Sequence, residues 1–317
     1  MSFREISFYI IFLFAGISLF GQNDHPRLIS PPLDNIFDFY VSPTHNIYFG
    51  NKQNLWIHNI FEDTMVAKIN IDLTEEITVI VASEARKEIF LGTKNGSIVV
   101  VDFQNNNITH LVNHKNDRIT SLTFDAQQNN LLAGGIKGTV YSHRVADINH
   151  YETLHTCPGQ ITNIDLSSEN NYLAVSDGSG TLTLFDAENL NLISSSKLSK
   201  HSIRDFKFIP DSKRFVAVDE EGRFTDWRIR EEKYFVNLRA SNESSNWLLA
   251  VDIGANGTSF CFGGVDQNLY VKTPFDYYKE RLPGPILKTH FLEKGKYLYF
   301  INCIYGKGIF LSSLANM

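Results

Sequence analysis

Beyond residue 22 the apolar positions fall in short runs rich in Val, Ile, Thr, Phe and Tyr, bounded by Gly, Asn, Asp and Ser. That is the pattern of strands and turns, and no segment there holds a sustained helical period. The runs repeat. Gly96, Gly138, Gly180 and Gly222 each stand 42 residues after the last, opening GSIVVVD, GTVYSHR, GTLTLFD and GRFTDWR. In the same frame, units start near Ile36, Ile77, Ile119, Ile161, Ile203, Leu248 and Ile286. Inside each unit a second spacing of seven residues links Val41 to Tyr48, Ala82 to Ile89, Phe124 to Leu131, Leu166 to Leu173, Phe208 to Phe215, Ile253 to Phe260 and Phe291 to Leu298.

One unit, ITNIDL, SSENN, YLAVS, a glycine turn, TLTLFD and NLISSSKL, reads as four strands joined by polar turns. Its turn, DGSG at 177 to 180, can be read as a calcium loop, a phosphate loop or a hairpin. Calcium needs several converging oxygen ligands, and the equivalent positions elsewhere hold Lys94, Asn95, Ile136 and Lys137. A phosphate loop must feed a helix, whereas this turn feeds another strand. A hairpin commonly needs a positive φ, which Gly adopts without steric cost. The hairpin reading stands.

Units of this length with four antiparallel strands predict an all-β, seven-bladed β-propeller, closed as a single domain over residues 22–317. The last unit ends at Met317 without a fourth strand, while Arg27 to Ser30 form a short β-like stretch ahead of the first unit. Residues 24–31 are therefore expected to supply the outer strand of the last blade, because an unpaired edge invites aggregation.

The turns SPTHN, IPDSK and SSENN, the turns Asn95-Gly96-Ser97 and Ser179-Gly180-Thr181, and the strand ends VVVD, LTLFD and TDWR resemble those of the WD40 family over about residues 25–314. Departures are plain. The closing Trp-Asp pair is reduced to Val101-Asp102 and Phe185-Asp186, with a reversed Asp226-Trp227, and only His114 and His201 fall near the family's Gly-His position. The resemblance implies a ring whose rim docks partners. Arg118 and Trp247, each just ahead of an innermost strand, are the expected rim residues.

Composition and charge narrow the function classes. The chain has 317 residues, 43% hydrophobic and 20% charged, which is ordinary for a folded protein. A net charge of -6 and the lack of a basic run argue against nucleic acid as partner. MSFREISFYIIFLFAGISLFGQNDHP carries Arg4 and then an uncharged apolar stretch from Ile6 to Phe20, the pattern of a signal peptide over residues 1–21 cut after Gly21. That stretch is shorter than the roughly 20 residues of a membrane span. A secreted or periplasmic protein is expected, with no membrane contact beyond the leader.

Chemistry is sparse. Cys157, Cys261 and Cys303 are too scattered for a zinc cluster or a disulfide framework, and read as small buried hydrophobes. Asn95, Asn107, Asn242 and Asn256 open glycosylation tripeptides, which matter only in a host that modifies them. The ten histidines form no HExxH or similar ligand set, and no GxSxG elbow occurs. Catalytic, metal and cofactor residues are thus expected to be none. Phe90, Phe124, Tyr172, Phe185, Phe208, Phe224, Phe260 and Phe291 fall on the repeat frame and are assigned to the core. Off that frame, TPFDYYKERLPGP concentrates Phe275, Tyr277, Tyr278 and Arg281 as a candidate partner patch, since aromatic residues and Arg are enriched at interfaces. The function expected is protein or peptide binding; the alternatives are a lactonase-like hydrolase working in the channel and a carbohydrate-binding propeller.

Overall fold

The computed structural model describes residues 26–30, 36–169, 171–230, 234–294 and 297–315. The expected leader lies outside these residues. Among the described residues twenty-eight strands form seven four-stranded antiparallel sheets arranged as the blades of a propeller. The first strands of successive blades pack against one another around the axis: Phe39–Val41, Ile77–Ser83, Ile119–Asp125, Ile161–Leu166, Ile203–Phe208, Leu248–Ile253 and Ile286–Lys294. Each later strand lies one step farther out. Blade one starts its ladder at Phe39 rather than Ile36, because residues 36 to 38 run up to the sheet without strand pairing.

In blades two to six the seven-residue spacing is the cross-strand register itself. Ala82 faces Ile89, Phe124 faces Leu131, Leu166 faces Leu173, Phe208 faces Phe215 and Ile253 faces Phe260. Blades one and seven depart from it. In blade one Val41 faces Ile47, a shorter spacing. In blade seven Phe291 faces Phe300, because the longer strands Ile286–Lys294 and Tyr297–Ile304 carry their turn farther along the chain. Every innermost strand of blades two to seven skips register after its first residue, as between Ile77 and Val79 or Ile203 and Asp205. Such a bulge frees one residue from the ladder and re-aims its side chain. At that position Thr78 donates to the Ile119 carbonyl at 2.5 Å and Thr120 to that of Ile161 at 2.7 Å, tying each blade to the next.

The core does not sit on the axis. One apolar cluster fills each seam between neighbouring blades, such as Tyr48, Leu55 and Ile57 of blade one against Ile80, Ala82 and Ile89 of blade two. The on-frame aromatics belong to these seams: Phe90, Phe185, Phe208, Phe224 and Phe291 are buried, and Phe124, Tyr172 and Phe260 half-buried. Each fully buried side chain of this size contributes about 1.5–3 kcal/mol.

The glycine turns are hairpins. Gly180 has φ of +86°, and a Cβ there would lie 2.3 Å from the Ser199 carbonyl oxygen, so both its conformation and the passing linker exclude a side chain. Asp177 organises the turn, its Oδ1 accepting from the Ser179 and Thr181 backbone N–H groups at 2.9 and 3.0 Å. Asp219 does the same for blade five, accepting from the Glu221 and Arg223 N–H groups. Blade three has Gly135 at that position, and the carboxylate arrives from the preceding linker instead. Asp117 Oδ1 accepts from the Lys137 N–H at 2.8 Å, and a Cβ on Gly135 would sit 2.2 Å from Asp117 Oδ2.

The ring closes as expected. Arg27–Leu28 pairs with Gly308–Ala315 as the outer strand of blade seven, Arg27 facing Leu311 and Leu28 facing Phe310. The Ile29 N–H donates to the Ile309 carbonyl at 2.9 Å, and Ser30 Oγ accepts from the Ile309 N–H at 3.0 Å. Arg27 also pairs with Asp63 of blade one.

Candidate docking face

The bulge sets which residues take equivalent places on the innermost strands round the ring. The third residues of the innermost strands, taken round the ring with Asp38 for blade one, are Asp38, Val79, Ser121, Asn163, Asp205, Ala250 and Lys288. The fifth are Tyr40, Val81, Thr123, Asp165, Lys207, Asp252 and His290. Blades two and three carry valine and hydroxyl side chains at these positions, Val79 and Val81 packing into the seam between them, and the remaining blades carry the charge.

These charges clasp the seams. Lys288 pairs with Asp38 at 2.6 Å across blades seven and one, His290 with Asp252 at 2.7 Å across seven and six, and Lys207 with Asp165 at 3.2 Å across five and four. Each carboxylate also accepts a backbone N–H from the next blade: Ile80 to Asp38, Phe208 to Asp165, Val251 to Asp205 and Phe291 to Asp252, at 2.8–3.2 Å. Burial pushes the Asp205 carboxyl up to about 7, although Lys207 pulls it the other way, and burial also raises Asp165. Burial works against the charge on Asp252 too, but the adjacent His290 prevails and holds that carboxyl below its ordinary range. Asp165, Asp205 and Asp252 together keep the Lys207 ammonium charged in spite of its burial. Among the described residues no three His, Cys, Asp or Glu side chains are placed to hold a metal ion.

The end of the ring where the innermost strands begin has a repeated construction. The residue just ahead of the strand accepts, on its carbonyl, the N–H of the first residue in the turn between the second and third strands. The pairs are Glu76 with Lys94, Arg118 with Ile136, Gln160 with Gly178, Ser202 with Glu220, Trp247 with Val265 and Pro285 with Tyr305, at 2.8–3.1 Å. Eleven side chains and Gly178 are thereby set round one face. In blades six and seven they are apolar, and Trp247 and Tyr305 stand 50% and 59% exposed.

The expected partner residues fall into separate groups. Arg118 and Trp247 share this face but belong to blades three and six, well apart round the ring. Arg281, whose strand partner is Asn268, lies at the same end and reaches Gln267 at 3.3 Å. Phe275 sits in the turn after Lys272, at the opposite end of blade six, and is 90% exposed. Tyr277 donates its hydroxyl to Glu243 at 3.2 Å, while Tyr278 packs against the apolar cluster between blades six and seven. Val265 and Tyr305 escape a reading of local composition; lining up the first residue of the second turn across units would have marked them.

The scattered histidines are not all isolated. His143 Nδ1 lies 2.9 Å from the Ile148 carbonyl, which makes it the donor and leaves Nε2 to accept, 3.2 Å away, from Nε2 of His114. The His114 ring stacks on Tyr141 at 4.0 Å between centroids, and Tyr141 donates to Asp117. Nδ1 of His114 is buried without a hydrogen-bond partner. The three cysteines are free and buried.

No protein-family model and no curated protein sequence matches the chain.

Proposed function

We propose that this chain is an exported, WD40-like binding scaffold that docks a protein or peptide on the face where its innermost strands begin. The observation that carries the reading is the change in the paired positions round that face. They are polar or charged in blades two and five, and exposed and apolar in blades six and seven, where Trp247, Val265 and Tyr305 project from backbone fixed by the blades. Rigid strands holding such side chains in place is how a ring of sheets binds without moving, and apolar groups of this size exposed together mark interaction sites. The channel supports the same reading. Its ion pairs and N–H contacts engage Asp38, Asp165 and Asp252 in joining blades, which is a structural use of those groups.

The test is affinity purification from the native envelope fraction. Trp247→Ala and Tyr305→Ala are expected to lose the co-purifying partner, and Phe275→Ala, at the far end, to retain it. Unchanged recovery with both rim variants would dismiss the face.

A second reading, a hydrolase acting in the channel, has one observation in its favour. Asp205 is the channel aspartate without a cation within 4 Å among the described residues, and its carboxyl is held near neutrality. Turnover of lactone or ester substrates that disappears in Asp205→Asn would favour it over binding.

A further inference from the structure

Blades one to five shift register between their third and outer strands, as between Val100 and Val101 of blade two or Asp226 and Trp227 of blade five. A bulge there bends the outer strand and blunts its edge against further pairing. Blade seven ends in the two residues Arg27–Leu28. Blade six differs from all of them. Its outer strand, Tyr277–Arg281, pairs with Asn268–Lys272 without a shift, from Asn268 facing Arg281 to Lys272 facing Tyr277.

The hydrogen bonds at both ends fix the phase of that ladder. The Leu282 N–H donates to the Gln267 carbonyl at 2.8 Å, and the Thr273 N–H to that of Asp276 at 2.9 Å. Bonded pairs alternate along antiparallel strands, so Tyr278 and Glu280 bond inward, while Tyr277, Lys279 and Arg281 turn their N–H and C=O groups to the open side. The side chains of these three share one face and are exposed. Lys279 Nζ lies over the Tyr270 ring, 5.1 Å from its centroid, and Arg281 reaches Gln267, but neither has a carboxylate in salt-bridge distance among the described residues. Glu280 belongs to the other face of the strand, and Asp276 to the turn beyond Tyr277.

We propose that the outer strand of blade six takes up a further antiparallel strand from a partner protein, an extended segment with two acidic residues and then an aromatic one at alternate positions. Main-chain bonds to Tyr277, Lys279 and Arg281 hold the segment, and its alternate side chains set the register. Antiparallel pairing places the acidic residues opposite Arg281 and Lys279 and the aromatic one opposite Tyr277, which are favourable cross-strand pairs. The same charges bar a second copy of this chain. Two such edges joined about a two-fold axis would set Lys279 against Lys279, and like charges directly opposite are destabilising. This edge is separate from the rim proposed above for docking and does not rest on it.

The experiment is fluorescence anisotropy of the full mature chain with three labelled peptides of equal length. One has the core Glu-Thr-Glu-Val-Phe, the second Lys-Thr-Lys-Val-Phe, and the third is the acidic peptide N-methylated at both Glu and at Phe, which removes the N–H groups that face the edge. The acidic peptide is expected to bind at least tenfold tighter than either of the others. Lys279→Glu should weaken it tenfold or more and strengthen the basic peptide. Lys279→Pro, which removes an N–H the blade's own ladder does not use, should also cost tenfold, and circular dichroism should show both variants folded. Trp247→Ala should leave binding unchanged. Equal binding of the N-methylated peptide would show that no strand is added, and equal binding of the basic peptide would show that the occupant is not acidic; either overturns the proposal. So would the absence of binding by all three, or an acidic peptide indifferent to Lys279→Glu. Loss of binding in Trp247→Ala alone would place the peptide on the rim, so that the edge proposal fails and rim docking stands.

Discussion

His114 and His143 share one hydrogen bond and a single set of neighbours: Tyr141, Tyr151, Asp117 through Tyr141, and the Ile148 carbonyl. Burial, with the neighbouring His143, lowers His114 from 6.5 to about 4, and burial lowers His143 as well. The unfolded chain therefore takes up these protons first as the pH falls. Stability from the neutral pair is fully present above pH 6.5 and is lost as the pH drops toward about 4, with a limiting slope of about 1.4 kcal/mol per pH unit for one such group. Melting temperatures measured from pH 7 to 4 should fall less steeply in His114→Phe, which keeps a ring on Tyr141 and removes the titration. Parallel slopes would show that the pair is not buried as described.

Asp117 offers a second test at the same scale. Asp117→Ala strips the Lys137 N–H and the Tyr141 hydroxyl of their acceptor, at a cost of about 2–3 kcal/mol. Gly135→Asp alone should also destabilise, since its Cβ meets the Asp117 carboxylate. Combined with Asp117→Gly it should recover much of the loss, by restoring the arrangement of blades four and five. Additive losses in denaturant titrations would refute the equivalence of the two positions.

At the scale of elements, the shortest strand has the largest role. Arg27–Leu28 with Ile29 and Ser30 covers part of an edge that would otherwise present open backbone groups along Gly308–Ala315. Removing everything through Ser30 should lower the melting temperature by about 5–10 °C and promote aggregation, whereas Arg27→Ala, which breaks an exposed ion pair, should change it little. A truncated protein that melts like the full chain would contradict closure by this strand. Strands and their register were legible because glycine needs a positive φ at each hairpin and apolar partners fall at a fixed spacing, as at Phe208 and Phe215. The spacing failed at Phe291, where longer strands moved the turn and left the composition unchanged. Asp117 was not legible either, because it reaches a turn eighteen residues ahead that lacks its own carboxylate.

Over the whole molecule, geometry comes from the seams. Seven apolar clusters and a run of ion pairs hold the blades together, and both depend on which blades become neighbours. That is why the candidate site was only half legible. Trp247 and Arg118 could be placed on one face from their frame position alone, but Tyr305 joined Trp247 only once blades six and seven were adjacent, and Phe275 fell away to the far end. Fixed presentation by a closed ring also means that removing a rim side chain such as Trp247 should abolish docking while leaving the melting temperature within about 1–2 °C, the range of a surface substitution.

Closure is the premise of all of this, and one residue pair reports it directly. Leu28 and Phe310 face each other next to the hydrogen-bonded pair of Ile29 and Ile309, so they occupy a close, non-hydrogen-bonded site suited to a disulfide. The measurement is thiol titration and thermal melting of Leu28→Cys combined with Phe310→Cys under oxidising conditions. A sealed ring predicts quantitative loss of both new thiols and a stabilisation on the order of 4 kcal/mol, reversed by reductant. Two thiols that stay free in the folded protein, with an unchanged melting temperature, would contradict it.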